Sequence, residues 1–398
     1  MMSERRRIVA VTSSRADYCH LFWPLRDLQS SGKVDLRILA LGPHLSPEFG
    51  LTVGEIERDG FTVEERVECL LSSDTDVGMA KTIGLATLGL ADVLGRLRPD
   101  LLLLIADRFE LLAPASAALA LRIPIAHIEG GEVSEGAIDD AVRNALTKLG
   151  HLHFTTTETA RRRVLAMGEE SWRVHRTGAP SLDHLRRQTL LGRAEVEAEL
   201  GLKLDRPTVM VAYHPVTLEL ETTAEAAAVF AALEQLPQQL VFSFPNADAG
   251  SRALIRRARQ FCARRADAHI FVNLAAVKYW SLLKEVDLLV GNSSSGVMES
   301  ASLKKPAVNI GKRQRGREHA RNVLDAAPET DSILECVSRA LAPDFRRSLE
   351  GLVNPYGDGH ASERIVEVLT TVPLGEKLLM KRAVPLTDYW AREEPADA

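Results

Sequence analysis

Six acidic residues, Asp107, Glu129, Glu132, Glu135, Asp139 and Asp140, gather in the first half of a chain of 398 residues. Asp107 and Glu129 each end a short apolar run, and Asp139 opens a helical pattern after the Gly130-Gly131 turn. Carboxylates on loops at one sheet edge can work as general bases or acids once burial or mutual repulsion raises their pKa. The same residues also serve as helix-dipole partners, and Asp139 stands at the i,i+4 spacing of a helical ion pair with Arg143. Magnesium could be held by such acids. No spacing among them marks a metal, and none is assigned.

A different chemistry sits in the second half. Asp287-Leu-Leu-Val-Gly291-Asn292-Ser293-Ser294-Ser295-Gly296-Val-Met-Glu299 runs from a buried strand through a small polar turn into a helical pattern. Backbone N–H groups, serine hydroxyls and a helix N-terminus then face one point, which suits an anion. An ordinary capped helix would look the same. Glu299 could accept from two ribose hydroxyls, or act as a first-turn acid with no ligand. Gly311-Lys-Arg313-Gln-Arg315-Gly-Arg317 follows another strand and suits a phosphate or carbonyl, or is a solvated basic loop. Tyr213-His214-Pro215 and Phe244-Pro245-Asn246-Ala247-Asp248 end two further strands. A histidine there can donate to a phosphate oxygen, although a lone histidine is more often structural.

The first strand–helix turn, Thr12-Ser13-Ser14-Arg15-Ala16-Asp17, offers hydroxyls and an arginine. It lacks the Gly-x-Gly-x-x-Gly fingerprint, which argues against a dinucleotide, and no cofactor is expected. Ser72-Ser73-Asp74-Thr75-Asp76-Val77-Gly78 up to Lys81 reads as a lid before a helix or as a plain surface loop. His151 and His153 alternate on one strand face and read as packing residues.

These residues need a scaffold. Apolar, β-rich runs recur at Ile8–Thr12, Leu36–Leu41, Leu101–Ala106, Ile123–Ile128, Leu152–Thr156 and Val174–Thr177. A second series follows at Val209–Tyr213, Leu240–Phe244, His269–Val272, Leu288–Val290 and Ala307–Ile310. Helical patterns lie between them, so each series is a parallel sheet covered by helices. The expected fold is α/β, with two Rossmann-like doubly wound domains facing a cleft. The expected domains are 1–182, 183–372, and a C-terminal helix with polar tail at 373–398, the end of that tail (Arg392–Ala398) being disordered. Ligands bind such sheets at the carboxyl ends of the strands.

Composition sets the outer limits. Hydrophobic residues make up 45% and charged residues 26%, as in ordinary globular chains. A net charge of -5 excludes a generally basic nucleic-acid binder. The cysteines (Cys19, Cys69, Cys262, Cys336) are widely spaced, which favours a reduced, cytoplasmic protein over a disulfide scaffold. The longest apolar runs, Leu101–Ala106 and Ala113–Leu121, fall short of the ~20 residues of a membrane span, so no membrane partner is expected.

Taken together, the segments resemble the hydrolysing UDP-N-acetylglucosamine 2-epimerases of the sialic-acid and legionaminic-acid type. The resemblance is carried by TSSRADY (Thr12–Tyr18), SSDTDVGMAKTIG (Ser72–Gly84), ADRFE (Ala106–Glu110) and HIEGGEVSEGAIDDAVRNALTKLGHLHF (His127–Phe154). It continues in YHPVT (Tyr213–Thr217), FPNADAG (Phe244–Gly250), GNSSSGVMES (Gly291–Ser300) and NIGKRQRGRE (Asn309–Glu318). It implies a GT-B-like fold, a homodimer or homotetramer, and a nucleotide-sugar substrate without metal or cofactor. It implies that Arg15, Arg108, His214, Ser293 and Ser294 hold the diphosphate, Glu299 the ribose, and Asn246 and Arg313 the rest of the nucleotide. Asp107, Glu129 and Asp139 become the acid–base carboxylates, with His214 a further catalytic candidate. Ala106 departs from the glycine usual before Asp-Arg-Phe in that family.

The implied reaction converts UDP-N-acetylglucosamine to N-acetylmannosamine plus UDP. A carboxylate removes the C2 proton as UDP leaves C1, giving a 2-acetamidoglucal by anti elimination. Water adds at C1, and an acid returns a proton to C2 from the opposite face. The alternatives are the same chemistry on a GDP- or UDP-linked 2,4-diacetamido-2,4,6-trideoxy sugar, or a non-hydrolysing 2-epimerase. A nucleotide-sugar sensor would lack the carboxylates, and a GT-B glycosyltransferase would need an acceptor.

Overall fold

The computed structural model describes residues 5–71, 73, 75–135, 137–215, 225–244, 251–272 and 274–384, with backbone alone at 251 and 252. Asn246, the Phe244–Gly250 segment beyond its first residue, Ser72, Asp74 and the tail Arg392–Ala398 lie outside the described residues. The chain divides into two compact units. One comprises Met1–Glu132, Asp139–Pro180 and His360–Ala398, and the other Val133–Ile138 and Ser181–Gly359.

Among the described residues, the first unit is built on seven parallel strands: β1 (Arg6–Thr12), β2 (Val34–Leu41), β3 (Val63–Val67), β4 (Leu101–Ile105), β5 (Ile125–Ile128), β6 (Leu152–Thr155) and β7 (Val174–Arg176). Their order is β3-β2-β1-β4-β5-β6-β7, so the chain winds outward in both directions from β1. Among its described residues the second unit has six: β8 (Thr208–Ala212), β9 (Gln239–Phe244), β10 (Ala268–Val272), β11 (Leu288–Gly291), β12 (Ala307–Ile310) and β13 (Val323–Ala326), ordered β10-β9-β8-β11-β12-β13. Two doubly wound parallel sheets are the expected class. The central strands β4 and β11 are buried along their whole length, as helices on both faces require.

Three expectations are corrected. The structure adds β3 and β13 to the strands expected from sequence; both are edge strands, and Val-Glu-Glu-Arg-Val needs no second apolar face to pair there. Residues 360–372, expected with the second domain, belong to the first unit. The helix Ala361–Thr371 inserts Ile365 and Leu369 into one core with Leu21, Leu25 and Leu28. Arg6 Nη2 donates to Val372 O at 2.9 Å and Arg364 Nη1 to Thr177 O at 3.0 Å, fixing that return. Finally, the helix Asp76–Leu97 is 22 residues long and apolar enough, by length and composition, to cross a membrane. Lys81, Thr82, Thr87 and Asp92 interrupt its apolar runs, so no unbroken stretch revealed it. It buries Ala86, Leu90, Val93 and Leu94 in one core with Leu102 and Leu104 of β4.

Candidate functional site

In the first unit the candidate carboxylates Asp107 and Glu129 sit where β4 and β5 end. These strands pair in register, Ile105 opposite Ile128, and the next residues, Ala106 and Glu129, both have positive φ (59° and 65°). A left-handed residue with a Cβ costs roughly 1–2 kcal/mol, and such strain gathers at functional turns. It also explains why glycine fits position 106 better than alanine. The ladder nevertheless continues: Ala106 N–H donates to Ile128 O at 2.9 Å and Glu129 N–H to Phe154 O at 2.8 Å. His127, wholly buried on β5, donates from Nε2 to Ala106 O at 2.8 Å. Burial pushes its pKa down to about 4, so the ring is neutral and pins the turn presenting Asp107.

The acidic residues separate by partner. Asp107 is paired with Arg143, whose side chain is 1% exposed and which also lies 3.8 Å from Asp140. Arg143 therefore serves Asp107 across the fold, beyond the i,i+4 pairing with Asp139 that spacing suggested. Glu129 Oε1 accepts from His20 Nδ1 at 2.7 Å, its side chain 7% exposed. Glu132 is buried and accepts from Thr156 Oγ1. Glu135 is exposed and faces Arg315 at 3.5 Å. Asp139 begins the helix Asp139–Leu149, half-buried.

The Thr12–Asp17 turn is self-contained. Asp17 is buried and accepts from the Ser13 and Ser14 amides, both at 2.7 Å, and from their hydroxyls at 3.1 and 2.6 Å. This caps the helix Arg15–Ser30 and engages the hydroxyls expected to face a ligand. Arg15 Nε is 3.1 Å from Glu55, and Arg108 forks onto buried Glu110 at 2.9 and 3.3 Å. Burial pushes the Glu110 pKa up, against the pull of Arg108.

The second unit gathers its groups where β8 and β11 end. Gly291 has φ 144°, and a Cβ there would lie 2.0 Å from Ala212 O, so only glycine passes. Asn292, wholly buried, then extends the pairing with its amide: His214 N–H donates to Asn292 Oδ1 at 2.6 Å, and Asn292 Nδ2 donates to His214 O at 2.8 Å. Arg313 Nη1 and Gln314 Nε2 donate to Asn292 O at 3.2 and 3.0 Å, which draws the arginine loop to the serine turn. Ser293 and Ser294 are half-buried there. The helix expected after them is one turn, Ser295–Met298, so backbone amides and hydroxyls carry more of any anion field than a helix dipole does. Glu299 is 1% exposed, and its Oε1 accepts from Ser181 Oγ at 2.5 Å.

His20, His127, Arg143 and Asn292 were not among the sequence-based site residues. Asn292 lay inside the recognised turn, while His20 has no spacing signal because its partner is 109 residues away. His151 and His153 have structural partners: Ile125 N–H donates to His151 Nδ1 at 3.1 Å, and His153 Nε2 lies 3.1 Å from Glu169.

Comparison with known proteins places this geometry. The family model described as UDP-N-acetylglucosamine 2-epimerase matches residues 26–370. The chain is 36% identical to the UDP-N,N'-diacetylbacillosamine 2-epimerase (hydrolyzing) of Legionella pneumophila, covering 94% of this chain and 98% of that relative. It is 34% identical to the GDP/UDP-N,N'-diacetylbacillosamine 2-epimerase (hydrolyzing) of Campylobacter jejuni, over 86% of this chain and 90% of the relative. A UDP-N-acetylglucosamine 2-epimerase of Neisseria meningitidis is 28% identical over 96% and 99% of the two chains. The crystal structure of a Neisseria meningitidis 2-epimerase bound to UDP-N-acetylglucosamine shares the fold, with TM-score 0.77, 18% identity, and coverage of 91% of this chain and 99% of that one.

Proposed function

The chain belongs to the UDP-N-acetylglucosamine 2-epimerase family, and we propose that it is a hydrolysing 2-epimerase whose substrate is a UDP-linked 2-acetamido sugar. The observation that carries this reading is the placement of Asp107 and Glu129 at the ends of two strands paired in register, each with its own basic partner. Epimerisation by proton exchange at C2 can use such a pair. One carboxylate takes the C2 proton, the C2–H electrons form the C1=C2 bond, and the C1–O bond breaks to release UDP. Water then adds its hydroxyl at C1 as a carboxylic acid delivers a proton to C2 from the other face. The products are UDP and the free 2-epimer.

Asp107, Glu129 and Asp139 are the proposed proton-handling groups. Ser293, Ser294, Arg313 and His214 are proposed to meet the departing diphosphate, where charge develops as C1–O breaks. Arg15 and Arg108 belong to this set only if binding redirects them from Glu55 and Glu110. Glu299 is proposed to hold the ribose, with Asn246 near the nucleotide. No redox cofactor enters.

Similarity to hydrolysing relatives named for a diacetamido sugar (36% and 34%, against 28%) supports UDP-N,N'-diacetylbacillosamine as the sugar nucleotide, with UDP-N-acetylglucosamine the second reading. Competition between the two substrates decides it. A kcat/KM at least about tenfold higher for the diacetamido sugar is expected, since hydrogen-bonding sites discriminate strongly. A reversed ratio makes UDP-N-acetylglucosamine the substrate. We also propose self-association through the helix Asp76–Leu97, where Val77, Leu85 and Leu88 stand exposed. Sedimentation of a dimer or tetramer is expected, and a monomer at micromolar concentration would overturn this.

A further inference from the structure

We propose that His20 is a positioning residue for Glu129: through Nδ1–H it holds the carboxylate that handles the C2 proton in the orientation the reaction needs. The inference rests on the functional reading above and adds to it a residue that touches no substrate.

Glu129 has a rigid backbone and a long side chain. Its left-handed φ of 65° and its amide bond to Phe154 O at 2.8 Å fix the Cα. A glutamate still keeps two rotatable sp³ torsions and a broad terminal one, so the plane of its carboxylate has to be set from outside. His20 reaches in from the helix Arg15–Ser30 and meets Oε1 at 2.7 Å, with only 7% of the Glu129 side chain and 21% of the His20 side chain exposed. An ionised carboxylate only accepts, so Nδ1 carries the proton and donates. A short hydrogen bond to a charged acceptor is among the strong ones, and it fixes direction as well as distance.

The helix that supplies His20 is itself fixed. Asp17 caps its first turn through four hydrogen bonds from Ser13 and Ser14. Leu21, Leu25 and Leu28 anchor it in the core shared with Ile365 and Leu369. A group held on an element fixed in this way can hold a reactive side chain within the tolerance that catalysis demands. The arrangement parallels the other carboxylate, since Asp107 is held by Arg143 from the helix Asp139–Leu149. Each carboxylate thus has its own basic holder, on a different helix.

Two measurements test this on the full chain. The first needs no turnover: long-range proton–nitrogen correlation of the imidazoles in the wild type and in Glu129→Ala, which removes the acceptor. The His20 ring should show an Nδ1-protonated pattern that changes in the variant, and an unchanged pattern overturns the contact. The second is steady-state kinetics with UDP-N,N'-diacetylbacillosamine and UDP-N-acetylglucosamine. His20→Ala should lower kcat about 10- to 100-fold with KM within about twofold, the mark of lost transition-state positioning. His20→Asn, whose amide can donate from nearly the same point, should recover to within about fivefold of wild type. The double variant His20→Ala/Glu129→Gln should be no slower than Glu129→Gln alone, to within about twofold, because the two act as one unit. Losses that multiply, a raised KM at unchanged kcat, or Asn no better than Ala would each overturn the proposal. A wild type inactive on both sugar nucleotides while the His20 signal responds to Glu129→Ala would instead sink the functional reading, and the proposed role with it.

Discussion

The two units share an architecture and differ in what they place at the ends of their strands. The first presents carboxylates on left-handed turns, each beside a basic side chain, over a sheet rich in buried titratable groups. His127, His151 and His153 are buried on or beside β5 and β6, and burial lowers all three, the first two to about 4. Burial alone would raise Glu169, yet hydrogen bonds from His153, Lys148 and Lys381 bring it down to about 2. The second unit presents backbone, neutral polar groups and one cation: Gly291, the Asn292 amide, half-buried serines and the Arg313 guanidinium. Under the proposed function, one doubly wound sheet serves proton transfer and the other holds the anion. The difference lies in the turns after β4, β5, β8 and β11, which illustrates that function resides in sites grafted onto folds.

The largest effect should come from removing proton chemistry while leaving anion chemistry intact. Asp107→Asn should cut turnover by at least about a thousandfold, the scale of losing a general acid or base, and leave UDP affinity within about threefold. Steady-state UDP release and calorimetric UDP titration read the two arms, and a near-normal rate removes Asp107 from the mechanism.

The buried histidines sharpen the comparison through pH. His127 and His151 titrate near 4 in the folded chain against 6.5 when free. Between those values the unfolded chain binds the extra protons, so their contribution is complete above about pH 6.5 and is lost as pH falls toward 4. From pH 7 to 5 the first unit should lose on the order of 2–4 kcal/mol of stability. Hydrogen exchange at pH 5 should accelerate on β5 and β6 before β8 and β11. Equal acceleration on both sheets would contradict the contrast.

The converse experiment acts on the anion side. Glu299→Ala should weaken UDP binding by about tenfold or more, the worth of a buried charged hydrogen-bonding group, with kcat at saturation within about threefold. Unchanged UDP affinity would show that Glu299 does not hold the ribose. The smallest effect is purely conformational. Ala106→Gly relieves a left-handed alanine and should raise stability by about 1 kcal/mol, read by urea denaturation. A loss of stability would mean that the alanine methyl packs usefully there.

These contrasts were unevenly legible beforehand. Strands buried on both faces announce themselves as apolar runs, which is why β4 and β11 were plain from sequence. β3, with Glu-Glu-Arg at its centre, was not, because an edge strand needs only one apolar side. The serine turn could be read because Gly291 through Ser295 are contiguous. The one-turn length of the helix after it could not, since it depends on how the chain packs beyond Met298. The carboxylates stood out by type and position at strand ends. Their holders did not: His20 meets Glu129, and Arg143 meets Asp107, only once separate helices are docked on one sheet. Backbone strain at Ala106 and Glu129 is equally silent in residue type.

The central claim is that Asp107 and Glu129 carry a C2 proton transfer coupled to loss of UDP. The most direct test is proton and phosphorus NMR of the enzyme with UDP-N,N'-diacetylbacillosamine in deuterated water, repeated with UDP-N-acetylglucosamine. Free UDP together with a free 2-epimer carrying deuterium at C2 is the predicted result. A 2-epimer still attached to UDP, or a free sugar that keeps its original C2 proton, would contradict it.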